Sequence, residues 1–257
     1  MTTRLLASLT LCLLATPLFA QQPPAPPPAP AAPAGPLSAK LDPSGLVHVL
    51  SGDVELATIE LNAHGPAWAH APQTSATARA SALPGGGQRF TGTLPIPTTP
   101  PTAGALNYVE SITPLPAGFK LEYEVGVTQT LKLNGLQVSV NLPVARWGGQ
   151  TLTITRPDDD DPSVVALLAE ARPDVVGLWS GAGSKLVLGA GTDQALTFEL
   201  VASADITVQD LRKWEQPLYE IRFPALLEDG GREVTPDDRF HLLLTVTCAG
   251  PVKLLGP

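Results

Sequence analysis

From Leu37 onward, the chain alternates apolar and polar residues in short runs between breaks rich in glycine, proline and aspartate. A period of two is typical of strands that bury one face. The pattern predicts about ten to thirteen strands and an all-β domain, a large antiparallel β-sandwich with at most one short helix. The shorter runs are Leu46–Leu50, Val54–Leu61, Asn107–Thr113, Lys185–Leu188, Ala195–Val201, Ile206–Leu211, Leu218–Phe223 and Phe240–Cys248.

The clearest alternation extends from Phe119 to Leu133, where odd-numbered positions are mainly apolar and even-numbered ones mainly polar or charged. Asn134 and Gly135 follow, a pair that tolerates the positive φ angles of a type I′ turn. We therefore predict a hairpin in which Leu133 lies opposite Leu136. Its first arm of about fifteen residues is long for a strand and favours a broad, curved sheet.

One stretch has helical spacing. Asp161 is suited to cap a helix with Pro162 in its first turn, and apolar residues follow at positions 164, 167, 168 and 171. The pattern predicts a helix over 162–171. The acidic run at 158–161 lacks the alternate spacing of a calcium loop, so we predict no metal site there.

The first 36 residues have a different composition. Arg4, the apolar stretch Leu5–Leu14 and a cleavage region ending at Ala20 predict a signal peptide over residues 1–20. Residues 21–36 are half proline and predict a stiff spacer, which leaves residues 37–257 as a single β-sandwich domain. The apolar stretch is too short to span a bilayer, which takes about twenty residues. We expect a secreted or periplasmic protein with no membrane span.

The net charge of -8, with no compensating cluster of lysine and arginine, argues against a nucleic-acid partner. Of the two cysteines, Cys12 falls in the predicted signal peptide. Cys248 then has no partner within the chain, and its place at the end of an apolar run predicts a buried, unreactive thiol.

No strong catalytic motif is present. The serines, such as Ser180, lack the glycine-flanked elbow of hydrolases. The closest group of histidines is His64 and His70 with Trp68 between them, and zinc would need a third ligand from elsewhere. We interpret both histidines as surface or turn residues, predict no metal or cofactor, and assign no catalytic residue.

Polar and aromatic residues are densest in two late segments, which supply the candidate ligand-binding residues Asp210, Arg212, Trp214, Glu220 and Arg222. If these segments are strands, each presents a stripe of one parity, and an aromatic plate beside hydrogen-bonding groups is suited to a sugar. The alternative is a cross-strand salt-bridge ladder with the tryptophan covering the sheet edge.

Four segments carry a family resemblance: Gly118–Pro143, Arg146-Trp147-Gly148-Gly149, Asp210–Trp214 and Tyr219–Arg222. Their strand pattern resembles the β-supersandwich domains of galactose-mutarotase-like architecture found in secreted bacterial carbohydrate-active proteins. The resemblance implies this fold and an association with sugar. Mutarotases open the sugar ring with a His/Glu pair, and no residue of this sequence is assigned to it.

Three functions remain open. The leading hypothesis is an exported, non-catalytic β-sandwich protein associated with carbohydrate, with a glycan as its partner. The first alternative is a carbohydrate-active enzyme, such as a hydrolase, lyase or epimerase, whose carboxylates converge only in the fold. The second is a structural or interaction module of the cell envelope.

Overall fold

Strands dominate the computed structural model, which describes residues 37–97, 104–156, 159–172, 174–248 and 251–256, without the side chains of Asp159 and Asp160. The predicted signal peptide and spacer lie outside the described residues. The strands are β1 Leu37–Leu41, β2 Val47–Ser51, β3 Val54–His64, β4 His70–Pro72, β5 Arg79–Ala82, β6 Gln88–Pro95, β7 Ala105–Leu115, β8 Gly118–Val127, β9 Leu131–Pro143, β10 Thr151–Arg156, β11 Asp159–Ala166, β12 Gly177–Leu188, β13 Leu196–Asp210, β14 Leu218–Val234, β15 Arg239–Cys248 and β16 Lys253–Leu255.

Helical structure is confined to single turns. Helix α1 spans Val144–Trp147, and 3-10 turns span Pro66–Trp68, Pro84–Gly86 and Leu211–Trp214. Across the described ranges, no helix has the length and apolar character needed to cross a membrane.

The strands form one sheet with the order β16-β1-β2-β3-β9-β14-β13-β15-β8-β7-β6-β5. β10, β11 and β12 branch from it at β13, and β4 pairs with β3. Within the described part of the chain, the strand pairs are antiparallel except β1 with β16. The predicted all-β class with at most one short helix is confirmed.

The sheet folds back on itself and encloses its core. Tyr108 of β7 donates a hydrogen bond to the carbonyl of Ser44, in the turn between β1 and β2, at 3.3 Å. Gln73, which follows β4, donates from Nε2 to Oε2 of Glu110 on β7 at 2.9 Å. Because β7 lies far from β1–β4 in the strand order, these buried contacts join two layers of a sandwich.

The predicted hairpin at Asn134 and Gly135 is wrong. The alternation over Phe119–Val127 does form β8, but β8 pairs with β7 and β15, whereas β9 pairs with β3 and β14. β9 continues through Gly135, which lies opposite His64 of β3 and Leu227 of β14 and has no positive φ.

Tertiary contacts explain why an Asn-Gly pair lies inside this strand. The register between β14 and β9 shifts between Leu227 and Arg232. The side-chain amide of Asn134 donates to the carbonyls of Glu228 and Asp229 within this irregularity, at 3.1 and 2.6 Å. Turn propensity is a local preference, and these long-range hydrogen bonds outweigh it.

The predicted helix over 162–171 is also wrong, because β11 extends to Ala166 and pairs antiparallel with β10. Val165 lies opposite Leu152 and is buried, while Val164 is exposed. Adjacent β-branched residues favour a strand. Pro162 is tolerated because β11 pairs with β10 alone among the described strands, which makes it an edge strand.

The predicted burial of Cys248 is confirmed. The side chain is buried at the end of β15, and burial raises the pKa of its thiol to about 11. The thiol is therefore protonated at neutral pH and is not a nucleophile.

Candidate functional site

A polar surface covers one face of the sheet where β3, β9, β14 and β13 lie side by side. In one cross-strand row, Glu60 lies opposite Ser139, which lies opposite Arg222, which lies opposite Thr207. Directly opposed residues of antiparallel strands project from the same face. The neighbouring cross-strand row on the same face consists of Thr58, Asn141, Glu220 and Gln209. The alternate residues of all four strands enter the hydrophobic core.

Two short segments flank this polar surface, and the space between them is a groove of about 660 Å³. The 3-10 turn Pro66–Trp68 supplies Trp68, and the 3-10 turn Leu211–Trp214 supplies Trp214. The other lining residues are Glu60, Asn62, His64, His70, Asn141, Gln209, Leu211, Gln216, Glu220, Arg222, Leu227 and Asp229.

Hydrogen bonds hold the two glutamates of the groove in place. Glu220 accepts from Ser139 Oγ at 2.7 Å through Oε1 and from Arg222 Nε at 2.7 Å through Oε2. Glu60 Oε1 accepts from Asn141 Nδ2 at 2.9 Å. Glu220 and Arg222 have only 6% and 16% of their side-chain surface exposed, so their ion pair is largely shielded from solvent.

The two glutamates do not have the same environment. Burial raises the pKa of Glu60, although the hydrogen bonds from Asn62 and Asn141 act in the opposite direction. The negative charge of Glu220 raises it further. Glu60 therefore retains a proton at a higher pH than an exposed carboxyl group would.

His64 lies at the end of the groove beside Trp68. The two ring centroids are 5.5 Å apart in an edge-on arrangement, and the ring of His70 lies 5.4 Å from that of His64. Burial lowers the pKa of His64 to about 4, and the charges of Arg222 and His70 act in the same direction. At neutral pH the imidazole is uncharged and can donate one hydrogen bond and accept another.

The segment that carries Trp68 is strained. Ala67 and Trp68 have φ angles of 56° and 62°, in the left-handed region that residues other than glycine rarely adopt. Such strain persists where the surrounding structure fixes it, and it is frequent at ligand sites. Here it places the indole beside His64 and over Gly135, where an added Cβ would lie 3.5 Å from Trp68 Cζ3.

Unsatisfied polar atoms concentrate on this surface. Among the described residues, four buried side-chain atoms have no hydrogen-bond partner: His64 Nδ1, Gln137 Oε1, Thr207 Oγ1 and Gln209 Oε1. All four residues lie at polar-face positions of β3, β9 and β13. Buried polar groups in native proteins are nearly always paired, through ordered water or a bound ligand where the chain itself supplies no partner.

Three of the five predicted ligand-binding residues, Trp214, Glu220 and Arg222, line the groove. Asp210 and Arg212 are absent from its lining and pair with each other, Arg212 Nη2 to Asp210 Oδ2 at 2.6 Å. Residues 211–214 form a 3-10 turn, so the predicted single-parity stripe over 210–214 does not exist. The ion pairs Asp210–Arg212 and Glu220–Arg222 join residues of one segment each and do not form a cross-strand ladder.

The sequence interpretation missed the contribution of β3. Every second residue from Thr58 to His64 is polar (Thr58, Glu60, Asn62 and His64), and this alternation could have indicated a polar face on β3. His64 was expected at the surface, but it is 9% exposed, whereas His70 is exposed as predicted. In the part of the chain that the structure describes, no three or more His, Cys, Asp or Glu side chains are grouped to hold a metal ion.

No protein-family model matches this chain, and no curated protein matches it by sequence. Solved structures do align with it. A galactose mutarotase-like protein from Lactobacillus casei aligns with a TM-score of 0.49 and 10% identity, over 82% of this chain and 97% of that one. A galactose mutarotase related enzyme from Lactobacillus acidophilus aligns with a TM-score of 0.48 and 9% identity, over 85% and 96%.

A third alignment is with 4-alpha-glucanotransferase from Thermococcus litoralis, with a TM-score of 0.46 and 10% identity, over 82% of this chain and 36% of that one. These similarities concern the course of the backbone. The function of the groove is therefore argued from its own residues.

Proposed function

We propose that the groove binds a neutral carbohydrate. The observation that carries this proposal is a groove flanked by two tryptophans and lined by His64 and Gln209, each of which has a buried polar atom without a partner. Sugar hydroxyl groups both donate and accept hydrogen bonds, so they suit a site with unpaired acceptors and an uncharged imidazole. The apolar faces of sugar rings stack on indoles, which supplies the remaining contact area.

The charges of the groove support a neutral ligand over an acidic one. Arg222 is the arginine of the lining, and its charge is already paired with Glu220 at 2.7 Å. Glu60 and Asp229 also line the groove, so a sugar carboxylate or phosphate would face carboxyl groups without an unpaired arginine. Desolvating an anion without a cationic partner is costly.

The test is calorimetric titration with neutral sugars, together with a matched pair of glycine variants. In Gly135→Ala, the new Cβ would lie 3.2 Å from Gln137 Oε1 and 3.3 Å from His64 Nδ1, which crowds the floor of the groove. In Gly126→Ala, on β8, the nearest contact is an ordinary 3.8 Å to the Arg239 side chain. We expect Gly135→Ala to weaken sugar binding about tenfold and Gly126→Ala to leave it unchanged.

Sugar binding that is equal in the two glycine variants would place the site outside the groove. Failure of the unaltered protein to bind any sugar would contradict the proposal itself. Thermal melting of both variants, which we expect to retain the fold, separates loss of binding from loss of structure.

A second candidate function is catalysis on the bound sugar. It is favoured by one observation: Glu60, with its raised pKa, and Glu220, held by Arg222, lie in one groove in different environments. A carboxyl group whose pKa is raised by burial is suited to act as a general acid, and a second carboxyl group in the same groove is the partner that such catalysis requires.

Glu60→Gln then abolishes turnover of a sugar panel while binding persists. Glu55→Gln, also on β3 but paired with His48 at 2.6 Å and not part of the groove lining, leaves turnover unchanged. Sugar binding without any product would favour the binding protein over the enzyme.

A further inference from the structure

Resting on the proposed function, we infer that the ligand is an oligosaccharide that lies along the groove, with one sugar unit against Trp68 and another against Trp214.

The strand register places the two segments that carry the tryptophans at different levels of the sheet, and both rings line the groove. Trp68 lies over Gly135, near the start of β9. Trp214 belongs to the turn after Asp210, which lies opposite Tyr219, which in turn lies opposite Leu142 near the end of β9. Seven residues of β9 separate these two backbone levels, which is roughly 23 Å along an extended strand.

A single sugar ring covers only part of that length. The unpartnered atoms are distributed along it in the same way, because His64 Nδ1 lies at the Trp68 level and Gln209 Oε1 lies in the row of Asn141, near the Trp214 end. A monosaccharide at either end leaves the other end unsatisfied. A chain of several units offers hydroxyl groups at every level of the groove.

The exposure of Trp214 points in the same direction. Its side chain is 52% exposed, an unusual state for a large apolar ring that lines a groove. Trp68 is partly buried and contacts His64, so the ring at that end is already held in place. We place the first sugar unit beside His64 and the later units toward Trp214.

The test is a titration series by chain length. Gluco-, galacto-, manno- and xylo-oligosaccharides of one to six units are titrated calorimetrically into the unaltered protein, Trp214→Ala and Trp214→Phe. For the series that binds, we expect affinity to rise by about tenfold from the monosaccharide to the longer chains. Trp214→Ala lowers the affinity for the longer chains more than the affinity for the monosaccharide, and Trp214→Phe, which keeps an aromatic plate, restores most of the gain with chain length.

Equal affinity for monosaccharide and oligosaccharide would overturn the inference while leaving the proposed function in place. An equal loss at every chain length in Trp214→Ala would do the same, because it would put the indole at the first unit. If no sugar of any length binds, the proposed function fails, and the inference fails with it.

Discussion

Trp147 and Trp214 differ in what surrounds their rings. Trp147 is fully buried in α1, and its indole Nε1 donates to the carbonyl of Leu56 at 2.7 Å. The guanidinium of Arg146 lies 4.7 Å from the centre of the same ring. Trp214 makes its surface available to solvent at the edge of the groove. The first residue supports the fold, and the second is free to contact a ligand.

Truncating these residues therefore has opposite effects on stability. Trp147→Ala leaves a cavity and an unpaired carbonyl, and we expect it to lower the free energy of unfolding by roughly 3–5 kcal/mol. Trp214→Ala leaves no cavity and should change it by less than about 0.5 kcal/mol. Urea unfolding of both variants measures the difference, and a large loss in Trp214→Ala would remove this residue from the site.

At the scale of the element, β9 is the central strand beneath the groove. It pairs with β3 on one side and β14 on the other, and so brings together residues that are distant in the sequence. Its Asn134 holds the irregular part of β14 that carries Asp229, a residue of the groove lining.

Asn134→Ala removes both hydrogen bonds to the β14 carbonyls. We expect it to lower the free energy of unfolding by about 1–3 kcal/mol, because Asn134 is 4% exposed and the carbonyls lose their donor. Asn107→Ala, on an exposed position of β7, is the control and should have little effect. Equal urea midpoints for the two variants would show that the irregularity does not depend on Asn134.

Alternation in the sequence predicted strands well and their partners poorly. Residues 119–127 form β8 as predicted, because its period of two reflects burial of one face. The Asn134-Gly135 pair led to the wrong prediction of a hairpin, because the contacts that decide its conformation come from β14 and β3. Trp214, Glu220 and Arg222, which line the groove, could be grouped from the sequence because they are close together in it, whereas Glu60 and Asn141 join them only through the sheet register.

At the scale of the whole molecule, a buried carboxyl group joins the two layers of the sandwich. Glu110 of β7 is completely buried and accepts from the Tyr123 hydroxyl at 2.8 Å and from Gln73 Nε2 at 2.9 Å. Burial raises its pKa from 4.5 to about 8, although these hydrogen bonds act in the opposite direction and the charge of Asp42 raises it further.

The raised pKa makes stability depend on pH. Between pH 4.5 and 8 the folded chain holds the proton of Glu110 more tightly than the unfolded chain does. The contribution is complete below pH 4.5 and is lost as the pH rises through 8, by on the order of 3 kcal/mol between pH 5 and pH 8. The lowered pKa of His64 acts oppositely, since its contribution is present above pH 6.5 and is lost as the pH falls toward 4.

Comparison of the unaltered protein with Glu110→Gln isolates the Glu110 contribution. Glutamine cannot ionise, so the difference in free energy of unfolding between the two proteins should decline from pH 5 to pH 8. Urea unfolding at several pH values measures it. A difference that stays constant over this range would show that Glu110 is already ionised in the folded state at pH 5.

The central claim, that the groove between Trp68 and Trp214 binds a neutral sugar, is tested most directly by the indole N–H signals of the chain's four tryptophans. In a nitrogen-15 NMR titration with the sugars of the panel, the signals of Trp68 and Trp214 should move with added oligosaccharide. Those of Trp147, fully buried in the core, and Trp179, on β12 outside the groove lining, should remain in place. Four unmoved signals across the panel, or a shift confined to Trp179, would contradict the account.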